Sequence, residues 1–159
     1  MRLLVRILAV LACGGAPGMV WAQEGAPGTD VFQLVEGGFR KSITAQLTIE
    51  RYGIDGVGRA SADLGTLVWR ASGRQLRKIV VSTSASRPAY ELTVEPRNVE
   101  RATGMGPIRL VDGMLPQDFI RNVTPGRRGR ATLYYTATAT FEQGAGETNH
   151  IVLYTLTSQ

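Results

Sequence analysis

The stretch 131-ATLYYTATATF-141 decides how this chain folds. Leu133, Tyr135, Ala137, Ala139 and Phe141 fall on one side of an extended chain, and Thr132, Tyr134, Thr136, Thr138 and Thr140 on the other. Side chains alternate across a strand, so this pattern predicts a long strand with one buried and one solvated face. The same period recurs in 42-SITAQLTIE-50, with Ile43, Ala45, Leu47 and Ile49 on one side, and in 89-AYELTVE-95, with Tyr90, Leu92 and Val94. Pro88 and Pro96 bracket the latter and, lacking a backbone donor, are read as the limits of its ladder.

Working outward, further strands are predicted at 31–36, 66–71, 76–84, 107–111 and 118–123, and a last one within 146-GETNHIVLYTLTSQ-159, at 150–157. Turn-forming clusters separate them: Gly37-Gly38, GIDGVG at 53–58, SGR at 72–74, GMGP at 104–107, Asp112-Gly113, PGRRG at 125–129 and QGAGE at 143–147. No stretch of helical length carries apolar residues at three-to-four spacing, although SADLGT at 61–66 has room for one helical turn. About nine short strands with such punctuation predict an all-β protein, an antiparallel β-sandwich of immunoglobulin-like or Greek-key type, with a closed barrel as the alternative. The longest run, 131–141, is expected to form the final hairpin with the terminal strand, whose two apolar faces suggest cover on both sides.

The first twenty-two residues, MRLLVRILAVLACGGAPGMVWA, have the form of a secretory leader: Arg2 and Arg6, an apolar run, and small residues up to Ala22. This assigns 1–22 to a signal peptide, 23–30 to a flexible arm and 31–159 to one domain. The apolar run is shorter than the roughly 20 residues of a spanning helix, so no integral membrane segment is expected in the mature chain. Export to the periplasm, cell surface or exterior follows; the alternative is a lipoprotein anchored at Cys13, because 10-VLACG-14 resembles a lipobox. Cys13 is the only cysteine, so the mature chain carries no disulfide and its 137 residues rely on a core. Without Arg2 and Arg6, 16 basic and 13 acidic side chains leave a net charge of +3, too mild to point to nucleic acid.

Chemistry-bearing residues are few. His150 is the only histidine, which excludes multi-histidine metal sites and leaves one base with no GxSxG-type partner; it is read as a polar strand-end residue. Glu91 and Glu95 lie about 13 Å apart by strand rise, beyond the reach of a glycosidase pair, and read as a solvated face. Asp55-Gly56 and Asp112-Gly113 read as turns, lacking the spaced oxygen ligands of a calcium loop. Trp69 reads as a core side chain, Tyr134 with the threonine row as an exposed face, and Asn122-Val123-Thr124 fits a glycosylation acceptor. Arg127, Arg128 and Arg130 form a candidate contact for an anion or acidic surface, or else keep a hairpin mouth in water. No cofactor, metal site or catalytic residue is indicated.

The terminal segment resembles the last strand of chaperone-usher pilins and related secreted coat subunits. Gly146 stands fourteenth from the end, and Val152, Tyr154 and Leu156 alternate after it; the penultimate aromatic is replaced by Ser158, and the paired cysteines are absent. The resemblance covers 14 of 159 residues. It implies an incomplete immunoglobulin-like fold completed by a strand from another chain, with Val152, Tyr154 and Leu156 at the exchange edge and residues 23–36 as a donor arm. On this reading the protein is a non-enzymatic envelope or surface subunit, structural or adhesive, pairing with other envelope proteins or with copies of itself. A soluble periplasmic or secreted binding module for carbohydrate or another small ligand is the alternative.

Overall fold

The computed structural model describes residues 3–11, 31–35, 42–49, 51–84, 90–143 and 146–159. The alternation at 131–141 becomes a strand, Arg128–Thr140, in which every second residue from Gly129 to Ala139 is buried. All nine expected strands are present, and two more join them. In chain order they are β1 (Leu3–Leu11), β2 (Val31–Val35), β3 (Ser42–Ile49), β4 (Val57–Arg70), β5 (Arg77–Ser84), β6 (Glu91–Glu100), β7 (Thr103–Gly104), β8 (Ile108–Leu110), β9 (Gln117–Val123), β10 (Arg128–Thr140) and β11 (Gly146–Ser158). The described residues contain no α-helix, only a 3-10 turn at Phe141–Gln143.

The strands form two sheets, ordered β3-β1-β11-β5-β9-β7 and β2-β4-β10-β6-β8. Most ladders are antiparallel; β1 runs parallel to β11 and β2 parallel to β4. One apolar cluster draws on both sheets, with Ile79, Val81, Phe119, Val152 and Tyr154 from the first and Leu67, Trp69, Leu92, Leu133 and Tyr135 from the second. Trp69 is a core side chain, as its alternation indicated.

The final hairpin does not form. β10 pairs with β4 and β6, whereas β11 pairs with β1 and β5 in the other sheet. The chain crosses between sheets after β10, so β10 and β11 look at each other through the core. Their contact is a hydrogen bond between the hydroxyls of Tyr135 and Tyr154, 2.5 Å apart and fully buried. Period two identifies which face of a strand is buried but says nothing about which strand lies beside it. Nor is β11 covered on both sides: Val152 and Tyr154 are fully buried, while Ile151 is 39% exposed and Leu153 and Thr155 are half-buried.

Two local expectations fail for one physical reason. In β4, Ala60, Ala62 and Leu64 pack toward the core, and so do Leu67, Trp69 and, just past the strand, Ala71: the inward series passes from even to odd numbers. A bulge produces the slip. Thr132 stands opposite Thr66 and Tyr134 opposite Asp63, so β4 holds one more residue there than β10, and Gly65 supplies the φ of +143°. The phase break is what made SADLGT read as a helical turn. In β6 the strand continues through Pro96 to Glu100. The β8 ladder reaches only Leu92–Val94, so Pro96 owes no donor on that side, and a second bulge follows at Asn98, with φ +51°.

The leader-like segment also has a place in the 1–159 chain, with Leu3–Leu11 as β1. The expected arm at 23–30, the lipobox cysteine Cys13 and the Gly37-Gly38 turn lie outside the described residues.

Candidate functional site

β1 is the element on which the first sheet's edge depends. It pairs residue for residue with β11, Leu3 opposite Gly146 through Leu11 opposite Tyr154. Its other edge pairs antiparallel with β3, Leu3 opposite Ile49 through Val10 opposite Ser42. Among the described residues β3 has no other ladder, and the Gly146–His150 half of β11 has none on its β5 side, where pairing begins at Ile151. Leu3, Val5, Ile7, Ala9 and Leu11 stand in register with the inward positions of β11, among them His150, Val152 and Tyr154. Leu4, Arg6, Leu8 and Val10 stand in register with the outer ones. Every second residue of the segment from Leu3 to Leu11 is apolar.

In the 1–159 chain two residues of the expected exchange edge, Val152 and Tyr154, are paired on both sides, and Leu156 is paired with Ile79 of β5. All three side chains are buried, and the backbone of β11 is bordered by β1 over Gly146–Tyr154 and by β5 over Ile151–Ser158. The expected donor segment is placed as well: Val31–Val35 pair with Thr66–Arg70 of the same molecule.

His150 sits within β11, and its side chain is completely buried, contrary to its reading as a polar strand-end residue. The Tyr90 hydroxyl lies 3.2 Å from its Nδ1, and Nε2 finds no partner among the described residues. Burial pushes its pKa down to about 4, opposed by the nearby Asp112 carboxylate. A neutral ring accepting at Nδ1 from Tyr90 fits this site; a catalytic base open to substrate does not.

The three arginines separate. Arg130 is taken up by Glu100, its Nε 2.8 Å from Oε1. Arg127 lies exposed in the turn before β10. Arg128 stands opposite Arg70 in the β10–β4 ladder. Sequence reading missed Arg70 and Arg101 as companions: the β4–β10 register sets Arg70 opposite Arg128, and Arg101, just after β6, borders the same groove as Arg128. Of the remaining candidates, Glu91 pairs with Arg109 and Glu95 with Arg97, as a solvated face would. Tyr134 is half-covered: Arg97 lies 3.3 Å over its ring and its hydroxyl donates to Ser61 at 2.8 Å. Asp55-Gly56 and Asp112-Gly113 are turns, closed by Gly56 N–H to the Gly53 carbonyl and by Met114 N–H to the Val111 carbonyl. Asn122 exchanges amide hydrogen bonds with Gln159, fastening that residue to β9.

No helix among the described residues is long and apolar enough to cross a membrane. No family model, curated protein or solved structure matches the chain.

Proposed function

We propose that this protein is an exported, non-enzymatic subunit of a cell envelope or surface assembly, an immunoglobulin-like β-sandwich with one strand position supplied by another polypeptide. The observation that carries the proposal is the place of β1. The segment between β3 and β11 is the same segment that has the composition of a cleaved leader. Its removal would open a slot nine residues long, roughly 30 Å by strand rise, and leave β3 without a ladder. The apolar contribution of such a strand is on the order of 10 kcal/mol, as large as the whole stability of a typical domain. The mature chain would not tolerate the slot empty.

The pattern of the missing strand can be read from β1: apolar residues at five alternate positions, running parallel to β11. Copies of the mature chain offer little of that kind at their start. Residues 23–30, QEGAPGTD, hold two glycines, a proline and no apolar side chain larger than alanine, and 31–35 are engaged with β4. The chain is accordingly an acceptor of a strand from a different protein rather than a self-polymerising unit. Comparing the thermal unfolding of the 1–159 and 23–159 chains tests this. The shorter chain should melt at least about 10 °C lower or associate on size exclusion; equal melting of two sharp monomers would overturn the proposal.

A further inference from the structure

We propose that the outer face of the second sheet carries a site for an oxyanion, a phosphate or sulfate group on a saccharide or lipid, held by Arg70, Arg101 and Arg128. This is independent of the strand slot, which lies in the other sheet.

Arg70 and Arg128 are directly opposite each other across the β4–β10 ladder, and both are exposed. Like charges in that position repel. Neither has an acidic partner among the described residues, and neither has Arg101. The nearby acid does not relieve them: Glu100 is committed to Arg130, whose Nε and one terminal nitrogen both donate to Oε1, at 2.8 and 2.6 Å. Arg101 follows β6 directly, with a left-handed φ of +60°, and borders the same groove as Arg128.

The surface here is concave. A cavity of about 510 Å³ is bordered by Thr66, Val68, Glu100, Arg101, Arg128 and Arg130. A second of about 340 Å³ shares Val68 and Arg128 with it and adds Arg70. These volumes are in the range of small-ligand sites. Val68, buried yet outside the central cluster, gives the groove an apolar base, and the Thr66 hydroxyl adds a polar group. A planar guanidinium presents paired N–H donors that match two oxygens of a phosphate or sulfate. Three of them around two adjoining hollows that share Arg128 and Val68, two of the three set opposite each other against their repulsion, would gain most from an anion of charge two or a sulfated ring.

The test uses the 1–159 chain at constant ionic strength, with chloride exchanged for inorganic phosphate or sulfate, followed by NMR shifts and thermal melting. Saturable shifts confined to β4, β10 and the turn after β6 are expected. Combined Arg70→Ala and Arg128→Ala substitution should weaken binding at least tenfold and leave the anion-free protein as stable as before or more so. The charge-preserving double variant, Arg70→Lys with Arg128→Lys, should still weaken binding severalfold; it also serves if the alanine variant folds poorly. Arg59→Ala, removing a cation paired with Asp55, should change nothing. A sulfated oligosaccharide and phosphatidylglycerol vesicles then distinguish a sugar-borne from a lipid-borne anion. Identical responses of the parent and the double variants, or binding to vesicles without any response to phosphate, sulfate or the oligosaccharide, would overturn the proposal.

Discussion

Tyr135 and Tyr154 meet in the middle of the core, one from each sheet, and each hydroxyl finds its partner in the other. Burial drives both phenols well above their ordinary range, so both stay protonated at any working pH. Removing one hydroxyl strands the other in an apolar site, at about 1–3 kcal/mol, whereas removing both leaves nothing unsatisfied. Tyr135→Phe and Tyr154→Phe should each destabilise by that amount, and the double variant by clearly less than their sum in a urea-denaturation cycle. His150 makes a second residue-scale prediction. Its folded pKa of about 4 lies below the unfolded value near 6.5, so the folded chain binds fewer protons between the two. Its contribution is complete above pH 6.5 and is lost as the pH falls toward 4, by about 3 kcal/mol in all. Denaturation curves between pH 7 and 4 should show this slope, and His150→Phe, which removes the titrating ring, should flatten it.

At the scale of the element, legibility followed the regularity of the strand. β10 was readable because nothing interrupts its alternation over thirteen residues. β4, one residue longer, was only partly readable, because the bulge at Gly65 changes which parity points inward. The same strand sets a steric constraint on its neighbour. Gly129 stands opposite Trp69, and a methyl group there would lie 2.5 Å from the indole. Gly129→Ala should destabilise by about 1–3 kcal/mol through overpacking, measured by urea melting, with the loss reduced when Trp69 is replaced by Phe. In the turn before β10, PGRRG was legible as a turn and its arginines as exposed, but their partner Arg70 depended on a register that no single segment specifies.

For the whole molecule, the sequence carried the all-β class and nine strands, and it missed which sheet the last strand joins. Alternation encodes faces; the order of strands comes from core packing between distant segments, here Tyr135 against Tyr154. In the sequence residues 3–11 read only as part of an export leader, whereas the structure places them as β1 beside β11; in the proposed function another polypeptide takes that place once the leader is removed. The most direct test of this account is to add a synthetic peptide of residues 3–11, LLVRILAVL, carrying a solubilising tail, to the 23–159 chain and to follow amide hydrogen exchange and thermal melting. The peptide should raise the melting temperature and protect the amides of Ser42–Ile49 and Gly146–Tyr154, and a peptide with Val5 and Ile7 replaced by Asp should do neither. A 23–159 chain already protected in those two strands, and indifferent to the peptide, would contradict it.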